Sequence, residues 1–370
     1  MNFRKTVLAI SLSACTGAAV AADKVPTLGE VLKASDIVVS GYIDTSYTYL
    51  EGSGTFTSAT PNRVYDRERR SFNLHTVDLS VAYQPASGFG GFAQVDFGSD
   101  AMVSAAAGTS STDDVDMQEA YLQYASGNLT IIGGKFATTA GAEVIESPSN
   151  LNFSRSILFG YAIPFTHTGL RATYAMSDAL KFVAGVNNGW DVVKESASGD
   201  GGTNKTIELG VSSSPTKQLS LSAMLHTGEE PGSVAGVNGV RTLVDVVATF
   251  AVSDALSFTL NYDTAKQDDA IAAGTEAKWN GIAGYVNYKM NDKWRVAFRT
   301  ESFDDKNGFR TGVTQKWKES TLTLANTPVK NVELRGEVRH DSSDQSSFNY
   351  PDGTTKKSQD SVALEAIYKF

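Results

Sequence analysis

The feature that most constrains this chain is a two-residue alternation that starts near Ile37 and recurs to Phe370. Leu256 to Tyr262 alternates apolar and polar residues without an error, as does Leu219 to Ala223. Trp294 to Arg299 and Val332 to Arg339 follow the same rule with charges on the second face. Successive side chains of a strand point to opposite sides, so the pattern predicts β-strands with one apolar face. Val39 to Tyr49 and Thr76 to Tyr83 open the series. Ser361 to Phe370 closes it, with Val362, Leu364, Ala366, Tyr368 and Phe370 on one face.

Connections between the strands separate a soluble sandwich from a barrel. Short ones centre on Pro85, Gly127, Ser177, Pro215, Ser253, Asn291 and Pro328, all in turn-forming mixtures. Long polar ones fall between them, at 50–70, 99–114, 137–163, 191–203, 228–239, 265–278, 303–310 and 341–357. Seven short turns alternating with eight long loops imply about sixteen strands, with both ends on the short-turn side. A sandwich has no reason to keep its long loops at one end, whereas outer-membrane barrels do. The expected fold is therefore an all-β, transmembrane antiparallel β-barrel over 37–370, with short periplasmic turns, long external loops and both termini periplasmic. Tyr49, Tyr83, Phe97, Tyr124, Tyr174, Phe250, Tyr262, Tyr288 and Phe370 fall near strand ends on the apolar face, where an interfacial girdle belongs.

The first residues supply a compartment. Arg4 and Lys5, an apolar stretch from Thr6 to Leu12, and Ala19-Val20-Ala21 form a signal peptide over 1–21, cleaved after Ala21 or Ala22. Leu12-Ser13-Ala14-Cys15 is a competing lipidation box. Cleavage beyond Cys15 removes the only cysteine, so no disulfide framework is expected. A short periplasmic segment, 22–36, follows, with Thr27-Leu28-Gly29-Glu30 resembling a capping box that opens a helix through Lys33. Loss of Arg4 and Lys5 takes the formal net charge of −9 two units further negative, which argues against nucleic acid as a partner. No run of 18 apolar residues occurs, so a transmembrane helix is not expected.

The centre of the chain carries distinctive motifs. Gly141 to Ser156 is followed by Leu158-Phe159-Gly160-Tyr161-Ala162-Ile163-Pro164-Phe165-Thr166-His167-Thr168-Gly169-Leu170-Arg171. Gln118-Glu119-Ala120-Tyr121 precedes this stretch and Val186-Asn187-Asn188-Gly189-Trp190-Asp191 follows it. In these motifs the chain resembles the beta-barrel porin-2 (OmpL-like) family, and the similarity in layout covers most of the chain. The resemblance implies an outer-membrane pore for passive diffusion of small solutes or ions. In outer-membrane barrels of this class the C-terminal Phe370, with Tyr368 two positions before it, is the tag read by the barrel-assembly machinery.

Pro164 has no N–H for a strand ladder, so the next strand begins near Phe165 and leaves 137–163 as one long loop. Its apolar residues, Val144, Ile145, Leu151, Phe153, Ile157, Leu158 and Phe159, must pack on something. By strand count it is the third long loop, and in sixteen-stranded porins that loop folds into the barrel and narrows the channel. A constriction loop is one reading and a lid on the external rim is the other. Strand parity puts Lys135, Arg171, Arg241, Arg295, Arg299, Arg335 and Arg339 on the non-lipid face, with His167 beside them. With Glu143, Glu146 and Arg155 of the loop they form the candidate pore-lining set. Either an arginine wall faces Glu143 and Glu146 across the pore, or the charges pair along the wall, with Glu333 and Glu337 neutralising Arg335 and Arg339.

His75, His167, His226 and His340 lie far apart, without a nucleophile or carboxylate at a telling spacing and without metal-ligand spacing. No catalytic residue, metal or cofactor is therefore expected. Partners are expected to be outer-membrane lipid, the assembly machinery and small solutes or ions, with a homo-oligomer possible. A structural or adhesion barrel acting through 50–70 and 341–357 is the alternative, and a barrel enzyme a further one.

Overall fold

The computed structural model describes residues 28–52, 63–109, 114–194 and 204–370, so the expected signal peptide and the Thr27 cap lie outside the described residues. Helix α1 (Leu28–Ala34) belongs to a small N-terminal unit ending at Ile37. The unit from Val38 to Phe370 is the barrel.

Its wall begins with β1 (Val38–Leu50), β2 (Ser71–Tyr83), β3 (Gly88–Phe97), β4 (Val115–Ser126) and β5 (Leu129–Ala137). It continues through β6 (Thr166–Ser177), β7 (Leu180–Asn187), β8 (Thr206–Ser213), β9 (Leu219–Pro231) and β10 (Asn238–Ala251). Then come β11 (Leu256–Ala272), β12 (Thr275–Lys289), β13 (Trp294–Asp305), β14 (Gln315–Val329) and β15 (Val332–Ser343). A small hairpin, β16 (Phe348–Asn349) and β17 (Thr355–Lys356), stands outside the wall before β18 (Ser358–Lys369) completes it. Each wall strand pairs antiparallel with its sequence neighbours, and β18 pairs with both β15 and β1, closing a sixteen-stranded barrel. At the seam the backbones of Gly41 and Phe370 exchange two hydrogen bonds, of 3.0 and 3.1 Å. A Cβ at Gly41 would lie 2.7 Å from the Phe370 ring, so the position has no room for a side chain.

Burial in this wall is inverted relative to a soluble domain. From Gln315 to Ala325 in β14 every second residue is buried, including Glu319, Thr321 and Thr323. The residues between them face outward and include the exposed Leu322 and Leu324. All nine girdle aromatics named above are exposed on the outer face. An exposed apolar band around a buried polar interior is the pattern of a strand wall solvated by lipid. No helix among the described residues is long and apolar enough to cross a membrane.

Two expectations about connections are corrected. The stretches 228–239 and 265–278 are mostly strand: β9 and β10 are joined by 232–237 alone, and β11 and β12 by 273–274. Their polar side chains mark wet surroundings beyond the apolar band, and backbone pairing continues there regardless. Pro328 lies within β14, beside a register shift between Asn326 and Val329. Such an irregularity is where a residue without an N–H is tolerated.

Candidate functional site

Residues 138–165, which join β5 to β6, are seated against inward-facing side chains of the wall. They contain a 3₁₀ turn (Ser147–Ser149) and the short helix α2 (Ile157–Tyr161), whose N-cap Ser156 accepts a hydrogen bond from Phe159 N. Glu301 of β13 accepts from Ile157 N and Leu158 N at 2.6 and 3.0 Å, satisfying two of the helix's orphan donors. Glu337 of β15 accepts from Phe153 N and Ser154 N at 2.8 and 3.0 Å. Asn261 of β11 accepts from Ala142 N, and Trp279 of β12 donates to Ala162 O. The apolar side of the segment packs Ile157, Leu158 and Tyr161 with Leu243, Trp279, Phe303 and Trp317 of the wall. Gly281 makes the close approach possible, since a Cβ there would lie 2.6 Å from Leu158. Burial raises the hydroxyls of Tyr65 and Tyr161 above the usual phenol range, so both remain neutral in this apolar seat.

The buried arginines serve this seat. Arg299 bonds Glu143 at 2.7 Å, Glu319 at 2.8 Å and Ser154 O at 2.6 Å. Arg335 donates to the carbonyls of Ser147, Asn150 and Asn152 and pairs with Glu333 and Glu365. Arg339 donates to Arg155 O at 2.7 Å and pairs with Asp341. Arg295, only half-buried, donates to Leu151 O and Glu333. Arg155 turns back on its own segment and donates to the carbonyls of Val144, Ile145 and Phe153. Glu143 also accepts from Ser156 N at 2.7 Å. Glu143 and the arginines therefore do not face each other across a gap; they are bonded together. Glu333 does neutralise Arg335, but Glu337 caps backbone amides and leaves Arg339 to Asp341.

The rest of the set is dispersed. Lys135 is buried against Asp116 at 2.9 Å, and Arg241 bonds Gln267 over the Trp190 ring. Arg171 grips Glu208 with two donors. Glu146 makes no ion pair with an arginine among the described residues. It stands 3.5 Å from Gln94 and borders a cavity of about 440 Å³ lined by Tyr42, Asp78, Gln94, Glu119, Glu146 and Lys369 among others. Among the described residues, no basic side chain comes within ion-pair distance of Asp78, Glu119 or Glu146. Asp96 lies directly opposite Asp78 on β3, adding an acid behind the lining.

The family described as "Putative beta-barrel porin-2, OmpL-like" matches residues 36–370. The chain belongs to this family. Solved structures agree on the fold. The outer-membrane channel DcaP of Acinetobacter baumannii is similar at 17% identity and a TM-score of 0.63, covering 90% of this chain and 97% of that one. An anion-selective porin from Comamonas acidovorans has 14% identity and a TM-score of 0.66, covering 90% and 99%. The trimer form of OmpT from Vibrio cholerae has 13% identity and a TM-score of 0.61, with the same coverage. No curated protein matches the chain. This porin is thus an outer-membrane diffusion channel, and its family and fold are those of channels.

Sequence reasoning about the porin missed Glu319, Asp341 and Glu365, which share the arginines; their inward parity was the only available signal. It also missed that β6, β8 and β9 bring His167, Glu208 and His226 together, because ligands spread over three strands have no local spacing to read.

Proposed function

We propose that residues 137–163 narrow this porin and that the space left beside them passes small cations more readily than anions. The observation that carries the reading is the division of charge inside the barrel. Arg155, Arg295, Arg299, Arg335 and Arg339 are occupied by carbonyls and carboxylates, while Asp78, Glu119 and Glu146 line the cavity without a basic partner. Confined water screens charge weakly, so a ring of carboxylates at an opening selects for counter-charge. Strand β1 begins and β18 ends at the short-turn end, which we place in the periplasm, with Tyr368 and Phe370 presented to the assembly machinery. The protein carries out no catalysis in this reading. A homo-oligomer is the assembly we expect, as in the trimer form of the similar OmpT.

Planar-bilayer recording tests this. The purified porin in a KCl gradient should give stepwise ohmic conductance with a reversal potential of the cation sign. The triple substitution Asp78→Asn, Glu119→Gln, Glu146→Gln should move that potential toward zero. An anion-sign potential in the wild type would overturn the selectivity, and absent conductance from folded protein would favour an adhesive barrel.

A further inference from the structure

Three buried inward side chains that serve neither the loop seat nor the acidic cavity lie together. His167 of β6, Glu208 of β8 and His226 of β9 each offer a ligand atom, and these atoms all lie within 4.8 Å of one another. Glu208 and His226 are direct cross-strand partners, and Gly185 opposite Glu208 has no side chain to separate β6 from β8. We propose that these three residues form a binding site for a late first-row divalent cation of the zinc class.

The hydrogen bonding argues for a metal more than for a polar wall. His167 Nδ1 lies 3.2 Å from Gly189 O. A carbonyl only accepts, so Nδ1 carries the proton and Nε2 carries a bare lone pair. Metal-bound imidazoles are held in this way, with one nitrogen donating to a backbone carbonyl and the other ligating. His167 Nε2 finds no hydrogen-bond partner, and neither does either nitrogen of His226, although both residues are fully buried. Buried polar atoms are nearly always satisfied, and three orphaned nitrogens side by side call for an occupant. Glu208 already receives Arg171 through two donors, yet a carboxylate has about four lone-pair sites and can keep that pair while ligating. Two imidazoles and a carboxylate suit zinc and its neighbours, and three protein ligands leave one position open for water or a solute.

The rings are stacked, 5.0 Å apart and 13° from parallel, so their lone pairs do not yet converge on one point. Loading therefore requires one imidazole to turn about its χ2 angle. His226, with neither nitrogen bound, is the ring that turns.

The test uses the porin purified from outer membranes, stripped with EDTA and titrated with Co²⁺ as a visible-spectrum probe, then competed with Zn²⁺. One equivalent of Co²⁺ should bind with ligand-field bands that Zn²⁺ displaces. His226→Ala should weaken binding at least about tenfold, the scale on which even the partners behind a ligand act. His340→Ala, at an exposed histidine of β15, should leave affinity unchanged. Heat-modifiable mobility in gels identifies folded protein, and His167→Gln replaces His226→Ala if the latter does not fold. No stoichiometric Co²⁺ binding by the wild type would overturn the site. So would wild-type affinity in a folded His226→Ala or His167→Gln variant, or loss of binding in His340→Ala.

Discussion

Two sides of the barrel interior use the same kinds of residue to opposite ends. On β13 to β15, Arg299, Arg335 and Arg339 meet Glu319, Glu333 and Asp341 and the backbone of 143–155, and almost every donor is consumed. On β2 to β4, Asp78 and Glu119 line a cavity with water-sized space, Asp96 lies behind them, and the one basic residue of the lining, Lys369, is within 3.9 Å of Glu333 instead. The difference teaches that inward charge does not by itself make a selectivity element. A guanidinium offers five donors in a fixed fork, so it acts as a clamp wherever a backbone lies within reach. A carboxylate that meets no guanidinium stays available to solvent and to ions, even where one oxygen accepts from a backbone amide, as Glu119 does from Ala137 N at 2.8 Å.

The largest expected effect is on the clamped side. Arg299→Met leaves Glu143 buried without its cation and Glu319 with Arg339 alone at 3.8 Å, which costs about 3–5 kcal/mol by comparison with other broken buried pairs. A markedly lower temperature for the heat-modifiable gel transition would show it, and an unchanged one would remove Arg299 from the clamp. Next, a deletion within 141–151 should raise single-channel conductance. A segment lying over the rim would leave conductance as it was.

Glu143 and Glu146, three residues apart, give a sharper contrast. Glu146→Gln should move the KCl reversal potential toward zero with little change in stability. Glu143→Gln should destabilise and leave the potential unchanged, because its oxygens hold Arg299 and Ser156 N. Swapped outcomes would reverse the assignment of the two sides. The smallest effect is predicted for Arg295→Gln: with 20% of its side chain exposed and Glu333 still held by Arg335, the loss should be about 1 kcal/mol or less. Denaturant unfolding would measure it.

Much of this was readable from the residues. Period-two alternation from Val39 to Phe370 and the alternation of short and long connections contain the strand count, because both follow from local chemistry. Strand parity also placed Arg299, Arg335 and Arg339 inside. Their partners were not readable: Arg299 reaches Glu143 over 156 residues, and nothing in either neighbourhood of the chain records that meeting. Polar strand ends such as Ala265 to Asp269 looked like loops because polarity reports solvent contact, while hydrogen bonding decides strand extent. The grouping of His167, Glu208 and His226 was hidden for the same reason as the clamp, since register around a barrel is a property of the closed wall.

The seat of the loop also has a consequence for time. Phe153 N and the Glu337 carboxylate are 184 residues apart, and Arg335 finds Ser147 O across 188. The segment from 143 to 158 therefore cannot settle until strands formed from the last fifth of the chain stand in register. Contacts of such long sequence separation are the slow ones, because chain closure must precede any gain from them. Docking of this segment is thus a late event, which waits until the wall it seats against is nearly built.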